Sequence, residues 1–270
     1  MVRHYYVNDV TEFSKNELET VVKSVEPPVC LLGGWAVHLQ VNEGFRREYG
    51  RDYIGSRDID LGFHIDPSRS DAELRDMPVG GSIERIGELG YSRSRFGFVK
   101  NFHRETGERL SEDEANELPL HDTFEVFIDI IPDTSELDSF EDAFGFRPPS
   151  EPLLKKAFDG NCEPLSGYVD WRVSDSVKIA EPSLLAAMKI RSAPERDKDH
   201  KRVKDLADLH ALLWYVKDFS EIQNEVTTYV TGRTLDRLES CTGSKLFENA
   251  ANLLQIDPEL VRESILRLKT

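Results

Sequence analysis

The run Ser56-Arg57-Asp58-Ile59-Asp60-Leu61-Gly62-Phe63 sets two aspartates one residue apart among apolar neighbours, and its reading decides the fold. As a strand it points residues i and i+2 to one face, about 6.6 Å apart. Asp58 and Asp60 then share a face while Ile59 and Leu61 pack the other. Two carboxylates aimed at one point repel unless a cation or a proton neutralises them. An exposed strand face, or a turn after Gly55-Ser56, would explain the pair without any ligand. The rest of the chain has to decide between these readings.

Two further stretches bear on the choice. In Phe124-Glu-Val-Phe-Ile-Asp-Ile-Ile131 a single acid, Asp129, stands between isoleucines, a costly place for a carboxylate without a partner. A strand end before Ile131-Pro132 is the plainer account. If this strand lies beside the first, three carboxylates can serve hard divalent cations, which take oxygen ligands and organise an attacking oxygen and a leaving pyrophosphate. Upstream, Leu31-Leu-Gly-Gly-Trp-Ala-Val37 joins an apolar strand to an apolar helix through Gly33-Gly34. Glycines there admit a close ligand, and a helix N-terminus favours an anion.

Taken together, Gly33-Gly34, Ser56-Arg57-Asp58-Ile59-Asp60 and the lone Asp129 resemble the nucleotidyltransferase fold of the DNA polymerase β superfamily. Gly-Gly-Trp-Ala-Val is similar to the opening of the small aminoglycoside and lincosamide nucleotidyltransferases. The resemblance implies Gly33 and Gly34 near the nucleotide phosphates with Ser56 and Arg57 alongside. It makes Asp58 and Asp60 metal ligands, and Asp129 the third carboxylate, which activates the acceptor hydroxyl. One departure is the long insertion Gln40–Gly55 between glycines and aspartates. A separate stretch, Ser183 to Leu213, resembles the AbiEii-like nucleotidyltransferases, many of them toxins of toxin–antitoxin pairs. It implies that Lys189 meets the triphosphate and that Lys204, Asp205 and Asp208 match a later motif. Without the resemblance, Lys189 would be a snorkelling surface lysine, and Asp205 and Asp208 a solvated helix face paired with Lys201 and Lys204.

The expected fold class is α+β, a nucleotidyltransferase-type mixed sheet with flanking helices over 1–180, then a helical domain over 181–270. Helices are expected over Val10–Val25, with Ser14 and Glu17 as a capping box, and within 68–89. Others are expected at 183–190, 199–217, 234–238, 244–254 and 258–268, the last capped by Asp257-Pro258. Strands are expected at 91–104, 124–133 and 167–180. His38 falls on an apolar helix, and Trp35, Trp214 and Cys30 read as core. Arg46, Arg47, Arg51 and Arg57 would be either a basic rim or a solvated loop.

Composition narrows the classes. Fifty acids against 34 basic residues give a net charge of −16, which disfavours non-specific adsorption to nucleic acid or anionic membrane. The charge is uneven: 189–204 holds seven Lys or Arg against three acids, and 105–117 six acids against one Arg. No apolar run approaches a membrane span, and the opening MVRHYYVNDV lacks a secretory pattern, so a cytoplasmic protein is expected. Three scattered cysteines imply no disulfide framework. There is no H-E-x-x-H, G-x-S-x-G or P-loop motif.

The expected activity is Mg²⁺-dependent transfer of a nucleoside monophosphate from a nucleoside triphosphate to a hydroxyl, with release of pyrophosphate. The acceptor would be an RNA end, tRNA included, with an antitoxin protein as partner, or else a small molecule of the antibiotic kind. A non-catalytic interaction protein retaining the fold is the alternative from another class.

Overall fold

The computed structural model describes residues 8–269; the opening MVRHYYV lies outside them. The chain divides into two units. Residues 8–35 and Gly55–Ile179 form one, and Ala36–Ile54 with 180–269 form the other.

The first unit is built on eight strands: β1 (Val29–Leu32), β2 (Asp58–Phe63), β3 (Ser92–Arg93), β4 (Gly97–His103), β5 (Arg109–Leu110), β6 (Thr123–Pro132), β7 (Cys162–Pro164) and β8 (Val177–Ala180). Their order is β3-β4-β6-β2-β1-β8-β7, with β5 beside β4. β2 runs parallel to β6 and β1 to β8, whereas β1–β2, β3–β4, β4–β5 and β4–β6 are antiparallel. The sheet is therefore mixed. Alternation in β6 buries Phe124, Val126, Ile128 and Ile130 and leaves Thr123, Glu125, Phe127, Asp129 and Ile131 on the less buried face, the period-two pattern of a strand with one core face.

Helices α1 (Asn8–Ser24), the start of α2 (Gly33–Tyr49), α3 (Asp71–Arg75), α4 (Pro78–Glu88), α5 (Glu112–Glu117), α6 (Asp138–Phe144) and α7 (Lys155–Phe158) accompany the sheet. Phe13 of α1 meets Phe124 on the core face, with ring centroids 6.4 Å apart. Ser14 is no cap, because α1 begins upstream of it. It is fully buried, accepts a hydrogen bond from Trp35 Nε1 at 3.0 Å and donates to the Arg57 carbonyl at 3.4 Å. A hydroxyl with those partners ties α1 to both stretches that carry the glycines and the aspartates.

The second unit is helical. It holds α2 from Ala36 onward, α8 (Pro182–Ser192), α9 (Asp199–Trp214), α10 (Phe219–Tyr229), α11 (Gly232–Cys241), α12 (Ser244–Leu254) and α13 (Pro258–Leu266). The Gln40–Gly55 insertion is largely the continuation of α2, so a single cut at 180 meets a division in which 36–54 join the C-terminal helices. A Cβ on Gly44 would lie 2.1 Å from the Tyr215 carbonyl oxygen, so α2 passes against the end of α9 without side-chain space. His38 is buried with Nδ1 3.0 Å from the Tyr53 carbonyl, and Trp35 and Cys30 are buried. Trp214 is only half-buried, its ring stacked 6.2 Å from His210. Helix α10 falls outside the expected helices; it buries Ile222 and Val226. Asp257 caps α13 by accepting from Glu259 N at 2.9 Å.

α9 is buried on every side from Val203 to Leu213. It carries His210, which lies 2.8 Å from Ser264 Oγ and 3.3 Å from Tyr215 Oη. Burial pushes the His210 pKa down to about 4. Unfolded, the imidazole binds its proton near pH 6.5. Between those values the unfolded chain takes a proton that the folded chain refuses, so stability declines as pH falls from 6.5 towards 4, by roughly 3 kcal/mol over the window. Urea unfolding at pH 7 and pH 4.5 should show this slope in the wild type and a flatter one in His210→Asn. Equal slopes would remove His210 as the cause.

Candidate active site

The register of β2 against β6 assembles the acidic group. Asp60 pairs with Asp129 and Asp58 with Phe127. Directly paired residues project to the same face, so Asp58, Asp60 and Asp129 all lie on the less buried side of the sheet. At the start of β2 the Ser56 hydroxyl accepts from Asp58 N at 3.3 Å, a local turn that sets the strand's entry. Among the described residues no three His, Cys, Asp or Glu side chains are gathered closely enough to hold a metal ion. What the fold supplies is one face, adjacent strands and an all-oxygen donor set, which in kind suits a hard cation.

Gly33 completes the arrangement. β1 pairs with β2 so that Leu32 stands opposite Asp60, and Gly33 follows at the first residue of α2 with φ +63°. A Cβ there would lie 1.7 Å from Asp60 Oδ2 and 2.4 Å from its Cγ. The Asp60 carboxylate is thus seated on the glycine, at the positive end of a helix. Gly34 is buried behind it.

Arg57 turns along β6. Its Nη2 donates to the Glu125 carbonyl at 3.3 Å and its guanidinium stands 5.0 Å from the Phe124 ring centroid. The other arginines do not form a common rim: Arg46 pairs with Asp52, Arg47 with Glu43, and Arg51 donates to the Leu254 carbonyl.

Lys189 and Asp205 belong to the helical unit, and neither is at the surface. The alternative reading, a snorkelling lysine and a solvated acidic face, fails because α8 and α9 pack these groups against each other. Lys189 Nζ lies 2.7 Å from Asp205 Oδ1 and 2.8 Å from Asp208 Oδ2. Arg196 Nε reaches Asp205 Oδ2 at 2.7 Å, Ser192 Oγ donates to the same oxygen, and Lys204 pairs with Asp208. Tyr53 Oη donates to Asp208 Oδ1 at 2.9 Å. Burial works against the charge on Lys189, but Asp205 and Asp208 outweigh it and hold its pKa above the ordinary lysine value. For Asp205, burial is likewise overcome by Lys189 and Arg196, which bring its pKa down to about 2. Burial lowers Lys204, with Asp208 pulling the other way.

Sequence reasoning missed the pair that closes the other end of β2 and β6. Pro132, opposite Phe63, has no N–H to give the ladder. Asp133 takes over. Its N–H donates to the Phe63 carbonyl at 3.1 Å, Oδ1 accepts from Ile65 N at 2.9 Å, and Oδ2 lies 2.6 Å from His64 Nδ1. A carboxylate oxygen accepts, so the imidazole donates from Nδ1. The buried Asp133 therefore extends the register that sets Asp60 across from Asp129. The only sequence signal was an acid straight after a proline at a strand end.

Comparison with protein-family models, curated proteins and solved structures gave no match to this chain. No helix among the described residues is long and apolar enough to cross a membrane.

Proposed function

We propose that the chain is a Mg²⁺-dependent nucleotidyltransferase with a polymerase β-like sheet, moving a nucleoside monophosphate from a triphosphate to a hydroxyl. The observation that carries this reading is the register of Asp60 with Asp129, with Asp58 on the same face two residues earlier. Asp58 and Asp60, with Asp129, would hold the metal. Bound there, Mg²⁺ would neutralise triphosphate charge and polarise the reacting phosphorus. Asp129 receives the acceptor's proton. The acceptor oxygen bonds to the α-phosphorus, the bond from that phosphorus to the bridging oxygen breaks, and pyrophosphate departs with the electron pair.

Gly33 serves by making room for the Asp60 carboxylate at the start of α2, whose N–H groups favour anions. Because the Asp60 carboxylate already lies at that spot, a bare triphosphate meets a like charge. Triphosphate should accordingly bind weakly until Mg²⁺ is added. An RNA end is the acceptor favoured over a small molecule, with an antitoxin as the partner protein.

The test is transfer of label from α-labelled nucleoside triphosphates to an RNA pool in the presence of Mg²⁺. Wild type should label the pool, whereas Asp60→Asn and Asp129→Asn should fall to background while keeping the wild-type unfolding curve. Label incorporation that survives both substitutions, or none by the wild type with any triphosphate, sinks the assignment.

A further inference from the structure

The β3–β4 hairpin departs from the rest of this acidic chain. From Tyr91 to Arg104 it carries Arg93, Arg95, Lys100 and Arg104 and no Asp or Glu, in a protein of net charge −16. Its loop is two residues, Arg95 and Phe96, closed by Ser94 N donating to the Gly97 carbonyl at 2.9 Å. Phe96 is 48% exposed, one of two large apolar side chains so exposed among the described residues. The Arg95 guanidinium stands 4.8 Å from its ring centroid and makes no hydrogen bond or ion pair among those residues. Arg93 secures the base of the loop: it donates to the Phe144 carbonyl and lies 4.9 Å from the Phe146 ring centroid.

The position of this loop gives it meaning. Gly97, the residue after Phe96, pairs with Asp129, and a Cβ on it would lie 3.3 Å from the Asp129 Cα. An exposed aromatic ring and the arginine beside it thus precede in sequence the residue whose backbone pairs with Asp129, the carboxylate assigned to the acceptor. Aromatic faces stack bases of any sequence, and arginine adds a phosphate contact or a cation–π contribution.

We propose that Arg95 and Phe96 receive the 3′ end of a single-stranded RNA acceptor, with a base on Phe96 and a phosphate on Arg95. The choice of RNA as acceptor rests on the nucleotidyl-transfer reading, but the binding itself can be measured without catalysis. The probe is a fluorescein-labelled single-stranded oligoribonucleotide of about ten nucleotides, followed by anisotropy. Phe96→Ala should weaken binding about ten-fold or more and Phe96→Trp should restore it. Arg95→Ala should reduce the slope of log affinity against log salt by about 0.7, one phosphate contact. Mg²⁺-dependent triphosphate binding should be unchanged in all three.

Wild-type affinity in Phe96→Ala, or no oligoribonucleotide binding by the wild type, overturns the proposal; the second result would turn the hairpin towards a protein partner. A Phe96→Ala protein that loses triphosphate binding in the same proportion also overturns it. If wild type binds the oligoribonucleotide through Phe96 yet transfers nothing, the hairpin assignment stands and the transferase reading fails.

Discussion

Asp208→Ala should lose about 3–5 kcal/mol of folding stability, the usual result of removing one partner from a buried ion pair. Asp208 is fully buried, and each of its oxygens faces a lysine ammonium. Oδ1 takes Tyr53 Oη and the Lys204 ammonium, and Oδ2 faces Lys189 at 2.8 Å. Truncation removes the carboxylate that pairs with Lys204 in a place where burial already draws its pKa down, which weakens its hold on the proton. It also leaves Lys189 and Arg196 to share Asp205 alone. Set against the 5–15 kcal/mol of a typical domain, the loss is large. Urea unfolding measures it. The double variant Asp208→Ala/Lys204→Met should recover part of the loss, since removing both charges abolishes the orphan. A single variant within about 1 kcal/mol of wild type would mean that water reaches the network and solvates the charges left behind.

Gly33→Ala should be the most damaging small substitution in the sheet unit. At φ +63° an L-residue is strained by about 1–2 kcal/mol before any contact is counted. The added methyl would then occupy the space of Asp60 Oδ2, only 1.7 Å away. Either Asp60 swings off the start of α2 or the β1–α2 junction shifts. Both outcomes move a carboxylate that the proposed chemistry requires, so nucleotidyl transfer should disappear together with about 1–3 kcal/mol of stability. A double-mutant cycle separates the causes. Removing the obstructing carboxylate in Gly33→Ala/Asp60→Ala should return the steric part of the stability and none of the backbone part. If Gly33→Ala alone is as stable as wild type, the close seating of Asp60 on the glycine is wrong.

What could be read in the sequence was what depends on short periods. The alternation in Ser56–Phe63 and Phe124–Ile131 gave two strands, and the glycines gave a strand-to-helix junction. That β2 and β6 are neighbours was only a condition in that reading, because pairing is decided by contacts about seventy residues apart that no local pattern records. The Gln40–Gly55 stretch looked like an inserted loop because its arginines and glycines mask an α2 that stays apolar at Val41 and Phe45. For Lys189, Asp205 and Asp208 the local pattern leaves burial open. Charges at helical spacing usually mean a wet surface, but here α8 supplies the lysine that lets α9 bury two acids. Asp133 and His64 were invisible because their role follows from a missing N–H at Pro132.

The division of the chain has a consequence for its inheritance. Among the described residues the backbone passes between the two units three times, after Trp35, after Ile54 and after Ile179. Neither unit is one contiguous stretch of gene. A single recombination junction therefore cannot exchange the carboxylate-bearing sheet and keep the helices intact. Any cut near residue 180 would hand over α8 and α9 without Tyr53, the tyrosine that bonds Asp208. Exchange of either unit as a whole therefore needs more than one junction in the chain.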